Sequence, residues 1–295
     1  MRTTTGFFTG AGGRRIFWRG WTPDGDVRAV IALVHGASEH SGRYGYVAEA
    51  LVADGYAVHA LDHRGHGRSE GPRAVIDRMA NAVADVDQLV AAAREQHPGA
   101  PVYMLGHSMG GTVAVSYALR HQDRLAGLIL SGPLAALAAA PAPLRLIGRV
   151  LSVLAPSLPL VAIDASLVSR DPEVVRDYES DPLNHHGKLP ARTVAELSAA
   201  ISGFPEAVGA ITVPTLILYG SADRLCPPAG SEMLGERIGA GDKTVKSYPG
   251  LFHEILNEPE RDEVLTDIRG WLAERLANGS DPERADASPT GSTNS

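Results

Sequence analysis

The sequence predicts an α/β fold: a doubly wound, mostly parallel sheet interrupted by one helical cap. Three observations carry this. Strand-like apolar runs alternate with helix-like segments along most of the chain. Runs such as Val30-Ile31-Ala32-Leu33-Val34 are apolar throughout, as in strands covered on both faces. The alternation then stops near Leu134 and resumes near Pro214.

Taken in order, residues 15–21 and 28–35 read as strands, rich in β-branched and aromatic side chains. Residues 44–53 have helical spacing and stop before Asp54-Gly55; 56–61 is the next strand, and 79–96 a helix ended by His97-Pro98-Gly99. Strand 101–105, helix 110–120 and strand 125–130 follow. After the gap come strand 214–219, helix 231–238, strand 244–248 and an amphipathic helix over 263–277. Gly10-Ala11-Gly12-Gly13 could pass for a dinucleotide loop, but strand resumes after it, so it reads as a hairpin turn.

The expected organisation is a core over 1–133 and 208–277, an insertion over 134–207, and a disordered tail over 278–295. The first half of the insertion holds only three charges, Arg145, Arg149 and Asp164, among Leu, Val, Ala and Pro. Two readings fit it: a helical insertion that buries its apolar face on the core, or a lid lining an apolar substrate pocket. The tail carries no apolar side chain larger than proline and has no apolar surface to bury.

Composition excludes several classes. The chain has 295 residues, ample for a core without disulfide or metal staples. One cysteine, Cys226, rules out an intramolecular disulfide and a zinc site built from several cysteines. A net charge of −7 argues against nucleic-acid binding. The 20-residue charge-free run 125–144 has membrane-span length, but Pro133, Pro141 and Pro143 make it a strand running into a loop. With no signal-peptide pattern at its start, the expected location is cytoplasmic, and peripheral contact at a membrane or cell envelope is a second expectation.

The chemistry concentrates in Gly106-His107-Ser108-Met109-Gly110. A G-x-S-x-G between an apolar strand and a helix is the setting of a nucleophile elbow, which pushes the serine hydroxyl into a pocket. A serine needs a base, and the base an orienting acid. Asp223 follows the apolar strand ending at Tyr219, and His253 follows the strand ending at Tyr248. All three therefore sit at carboxyl ends of strands, on one rim. Taken alone, an aspartate in a loop is usually a helix cap and a histidine usually a surface residue; order and placement favour the triad. The oxyanion needs two backbone N–H donors, assigned to Met109 and to Ala37 in His35-Gly36-Ala37. His35 reads as a buttress of that turn. Asp62-His63-Arg64-Gly65-His66-Gly67 reads as structural support, and the His59, His63 and His66 spacing is poor for a metal. Cys226, three residues past Asp223, borders the expected pocket.

Four motifs together resemble the monoacylglycerol lipases, serine α/β-hydrolases often described as lysophospholipases. These are His35-Gly36-Ala37-Ser38-Glu39-His40-Ser41-Gly42-Arg43-Tyr44, Asp62 through Ser69, Gly106 through Gly111, and Gly220-Ser221-Ala222-Asp223-Arg224-Leu225-Cys226. The resemblance runs from about residue 6 to 275 and implies an α/β-hydrolase fold. It implies Ser108 as nucleophile, Asp223 and His253 as its partners, Ala37 and Met109 as oxyanion donors, and no cofactor or metal. It also implies that Glu39, Arg43 and Tyr178 shape a polar end of the pocket that holds glycerol. The expected reaction is hydrolysis of a monoacylglycerol to glycerol and fatty acid. A lysophospholipase, a general carboxylesterase, a cofactor-free haloperoxidase-like or C–C hydrolase, and a non-catalytic apolar-ligand binder are the alternatives.

Overall fold

The computed structural model describes residues 1–136 and 150–279. Its centre is an eight-stranded sheet in the order β1-β2-β4-β3-β5-β6-β9-β10. The strands are β1 (Arg2–Thr9), β2 (Arg15–Thr22), β3 (Ala29–Val34), β4 (Tyr56–Leu61), β5 (Val102–His107), β6 (Gly127–Ser131), β9 (Thr215–Gly220) and β10 (Lys243–Tyr248). From β4 to β10 all pairings are parallel, while β2 meets both β1 and β4 antiparallel. Strands β3 to β6 and β9 are buried at every residue, which is why they read as unbroken apolar runs. The first strand pairs with β2 over its whole length but stays largely exposed at the edge, so it has no strong apolar signature.

The core lies on both faces of the sheet. One face is covered by α2 (Met79–Gln96), α3 (Met109–His121), α5 (Ala191–Ala207) and α6 (Pro228–Arg237). The other is covered by α1 (Gly45–Ala53) and α7 (Arg261–Gly279). Helix α7 runs two residues past the expected end at Ala277; residues 280–295 of the expected tail lie outside the described residues. Gly110 is required where α3 leaves the sheet, because a Cβ there would stand 2.0 Å from Val34 O.

Residues 150–154 of the insertion are helical, followed by β7 (Pro159–Val161), α4 (Pro172–Ser180) and β8 (Leu189–Pro190), with β7 and β8 pairing antiparallel. Helix α4 starts as its sequence dictates: Asp171 accepts from Glu173 N at 2.8 Å, and Pro172 fills the first helical position. The last helix of the insertion, α5, buries Leu197, Ile201 and Phe204 in the same cluster as Val113 and Tyr117 of α3. Among the described residues, no helix is long and apolar enough to cross a membrane. The apolar run near Leu144 falls outside them.

Candidate active site

Ser108 stands between β5 and α3 with φ 55° and ψ −122°, a backbone region that side chains normally avoid. Its amide donates to Ser131 O at 3.1 Å, and its carbonyl accepts from Gly111 and Leu134 amides at 2.9 and 3.0 Å. The strain is held by packing: a Cβ on Gly106 would meet Gly110 O at 2.6 Å. The hydroxyl faces a cavity of about 390 Å³.

Asp223 and His253 arrive from the ends of β9 and β10. The Asp223 carboxylate is aimed by its own loop, with Oδ1 accepting from the Leu225 and Cys226 amides at 2.9 and 2.8 Å. Oδ2 pairs with His253 Nδ1 at 2.8 Å, so Nδ1 carries the hydrogen and Nε2 is left facing the cavity. Gly132 (φ +49°) lets β6 end against this pair, since a Cβ there would lie 3.0 Å from His253 O. Burial works against charge on the imidazole. The Cys226 sulfur and the Asp223 carboxylate outweigh it and hold His253 well above its ordinary range. Cys226 Sγ is in reach of both reacting groups, 3.7 Å from Ser108 Oγ and 3.9 Å from His253 Nε2.

The two expected oxyanion donors flank the serine. Met109 opens α3, and Ala37 lines the cavity with Gly36. Neither backbone N–H has a protein acceptor among the described residues. His35 holds the loop between them by backbone alone, its Nδ1–H donating to Gly36 O at 2.7 Å and its Nε2 accepting from His63 N at 2.9 Å. Burial keeps it neutral, with its pKa well below the ordinary value. The rings of His35, His63 and His66 meet edge to face rather than pointing nitrogens at a shared centre.

Glu39 and Tyr178 line the cavity; Arg43 does not. Its guanidinium lies behind them, 5.0 Å from the centre of the Tyr178 ring. It donates to Glu39 at 2.8 Å and to both oxygens of Glu254 at 2.7 and 2.8 Å. A buried cation must be paired, and these two carboxylates pair it behind the wall, away from the cavity. Glu39 is equally committed, accepting from Tyr44 OH at 2.7 Å and from Gly36 N at 2.5 Å. Burial alone would push the Glu254 carboxyl up, but Arg43 holds it down at about 2. Glu254 lines the cavity beside His253 and is the residue that sequence reasoning missed. Its partner lies 211 positions away, beyond any local pattern.

Much of the remaining wall is apolar, from Leu134, from Val161, Ile163 and Val168 of the insertion, and from Leu197 of α5, with His107, Asp164 and Arg224 also lining it. The structure thus joins a strained serine, an oriented imidazole, two free amides and an apolar chamber with a polar corner.

Residues 25–260 match the family model described as serine aminopeptidase, S33. The chain is 44% identical over 270 residues to a monoacylglycerol lipase of Mycolicibacterium smegmatis, covering 91% of this chain and 96% of that one. It is 40% identical over 271 residues to the human monoglyceride lipase, covering 90% and 89%. Among solved structures, the monoacylglycerol lipase of Paleococcus ferrophilus superposes with a TM-score of 0.78 at 30% identity, covering 93% of this chain and 100% of that one.

Proposed function

The chain belongs to this family of serine hydrolases with the α/β-hydrolase fold, and from that premise we propose that it cleaves monoacylglycerols to glycerol and free fatty acid. The observation that carries the reading is the 2.8 Å pair of His253 Nδ1 with Asp223 at the mouth of an apolar chamber that also holds Ser108. His253 Nε2 takes the Ser108 proton as Oγ attacks the ester carbonyl carbon. The tetrahedral oxyanion rests on the Ala37 and Met109 amides. Collapse breaks the bond to glycerol, which leaves with the proton from His253, and the acyl group stays on Oγ. Water, deprotonated by His253, then attacks the acyl-enzyme and releases the fatty acid. Asp223 keeps the imidazole in the working tautomer and stabilises its charged form.

The acyl chain suits the wall of Leu134, Val161, Ile163 and Val168, and the glycerol head suits the corner of Glu39 and Tyr178, with Arg43 fixing their positions from behind. The family description names a peptidase; at the polar corner both carboxylates, Glu39 and Glu254, are paired with Arg43, which suits that corner to a neutral head rather than a charged amino group. The expected insertion over 134–207 acts as the roof and reaches a lipid surface as a peripheral visitor. Val153 and Leu154 support this, being 68% and 78% exposed on the outside of the roof. A fluorophosphonate probe tests the chemistry: it modifies the peptide containing Ser108, and modification elsewhere or nowhere overturns the assignment.

A further inference from the structure

Cys226 makes and breaks no bond in hydrolysis, yet its sulfur shares a face with the reacting groups. Sγ lies 3.9 Å from His253 Nε2 and 3.7 Å from Ser108 Oγ. Donor atoms of Asp223, Cys226 and His253 fall within 4.8 Å of one another, and all three residues are buried. A tetrahedral zinc-class ion, at its usual bond lengths, separates a thiolate from an imidazole nitrogen by about 3.6 Å and from an oxygen by nearly the same. The two observed pairs exceed that by tenths of an ångström.

We propose that Cys226 Sγ, His253 Nε2 and Ser108 Oγ form a site for a thiophilic divalent cation of the zinc class, reached through the apolar chamber, and that its occupation switches the hydrolase off. The proposal rests on the hydrolytic reading for that consequence only; the coordination stands without it. Asp223 already does what outer carboxylates do at zinc sites. By accepting from Nδ1–H at 2.8 Å it fixes the ring and leaves the Nε2 lone pair facing the cavity. Ser108, Cys226 and His253 all line that cavity, which leaves room for water as a fourth ligand. A sulfur and an imidazole select zinc or cadmium and not magnesium or calcium. On binding, the thiol proton passes to solvent, sulfur bonds to the metal, and the Nε2 lone pair is taken. No base then remains for Ser108.

The test titrates zinc chloride into the full chain while it hydrolyses a soluble nitrophenyl ester. Zinc inhibits, EDTA restores the rate, and magnesium at the same concentration changes nothing. Cys226→Ala raises the zinc concentration for half inhibition, measured against that variant's own uninhibited rate, by about tenfold or more. Cobalt(II) reports on the site without catalysis. A thiolate-to-cobalt charge-transfer band forms in the wild type, is lost in Cys226→Ala and in the near-isosteric Cys226→Ser, and needs about tenfold more cobalt in Asp223→Asn. Equal zinc sensitivity in the wild type and both Cys226 variants overturns the site, as does the absence of the band in the wild type. An inactive wild type would instead overturn the hydrolytic reading, and the cobalt band would still decide the site.

Discussion

Arg43 grips Glu254 with both terminal guanidinium nitrogens, at 2.7 and 2.8 Å, while one of them also holds Glu39 at 2.8 Å. The pair ties two loops together. Glu254 follows His253 directly, and Glu39 accepts the Gly36 amide one residue before the proposed oxyanion donor Ala37. Breaking a buried pair by removing one partner costs about 3–5 kcal/mol where the other charge is left uncompensated; Glu39 still faces Arg43 here, so the lower end of that range applies. Glu254→Ala should therefore lower stability by that order and reduce kcat more than it raises KM, since it loosens both ends of the catalytic geometry. Denaturant melts and steady-state rates check this; a variant with wild-type kcat contradicts it.

Ser108→Ala should remove the nucleophile without disturbing the fold. The expected fall in kcat is about 10⁶-fold, as when a serine hydrolase loses its serine. The melting temperature should stay unchanged, because alanine meets the same backbone geometry at φ 55°. A substantial residual rate measured with a purified, contamination-free variant would mean that Ser108 is not the nucleophile.

Activity should rise with pH through the ionisation of His253, because only the neutral imidazole can take the serine proton. Burial lowers that pKa, but Cys226 and Asp223 more than reverse it, so the rising limb of kcat/KM should lie above the ordinary 6.5. A limb centred at or below that value in a pH–rate profile contradicts the electrostatic account.

Stability should fall in mild acid. Burial holds His59 and His66 at about 4 and His35 and His63 well below 6.5. The unfolded chain binds protons at these groups before the folded one does, so their contribution is complete above 6.5 and is lost as pH falls toward 4. His253 works in the opposite sense: its raised folded value adds stability below 6.5 that fades as pH rises through that value. Burial also lowers His97 and His107, so six groups stand against one, and the melting temperature should drop over the acid window. A flat profile there, or an unaltered slope in His66→Gln, counts against this.

Surface binding should depend on the outside of the roof. Leu154→Glu places a charge where a side chain is 78% exposed, so it should weaken binding to lipid vesicles and leave hydrolysis of a soluble ester unchanged. Co-sedimentation with vesicles reads the first, and an ester assay the second. Unchanged sedimentation would remove the roof from lipid contact.

The grouping of Ser108 and His253 at one cavity, with Asp223 paired to His253, was legible because its signals are local. Ser108, Asp223 and His253 each follow the carboxyl end of a strand, and a parallel sheet brings such ends to one rim. The place of Arg43 was not legible. Its motif marks it as part of the pocket region, but only its partner Glu254, far along the chain, draws it behind the wall. Helix α5 was hidden for another reason. Gly203 and Pro205 are helix-breaking signals, and burial of Leu197, Ile201 and Phe204 overrides them.

The most direct measurement compares hydrolysis of a monoacylglycerol, a diacylglycerol, a triacylglycerol and a lysophosphatidylcholine, with the Ser108→Ala protein as blank. The account predicts clear preference for the monoacylglycerol, abolished in the blank. Ser108-dependent activity confined to the lysolipid would keep the triad and contradict a glycerol head seated at Glu39 and Tyr178.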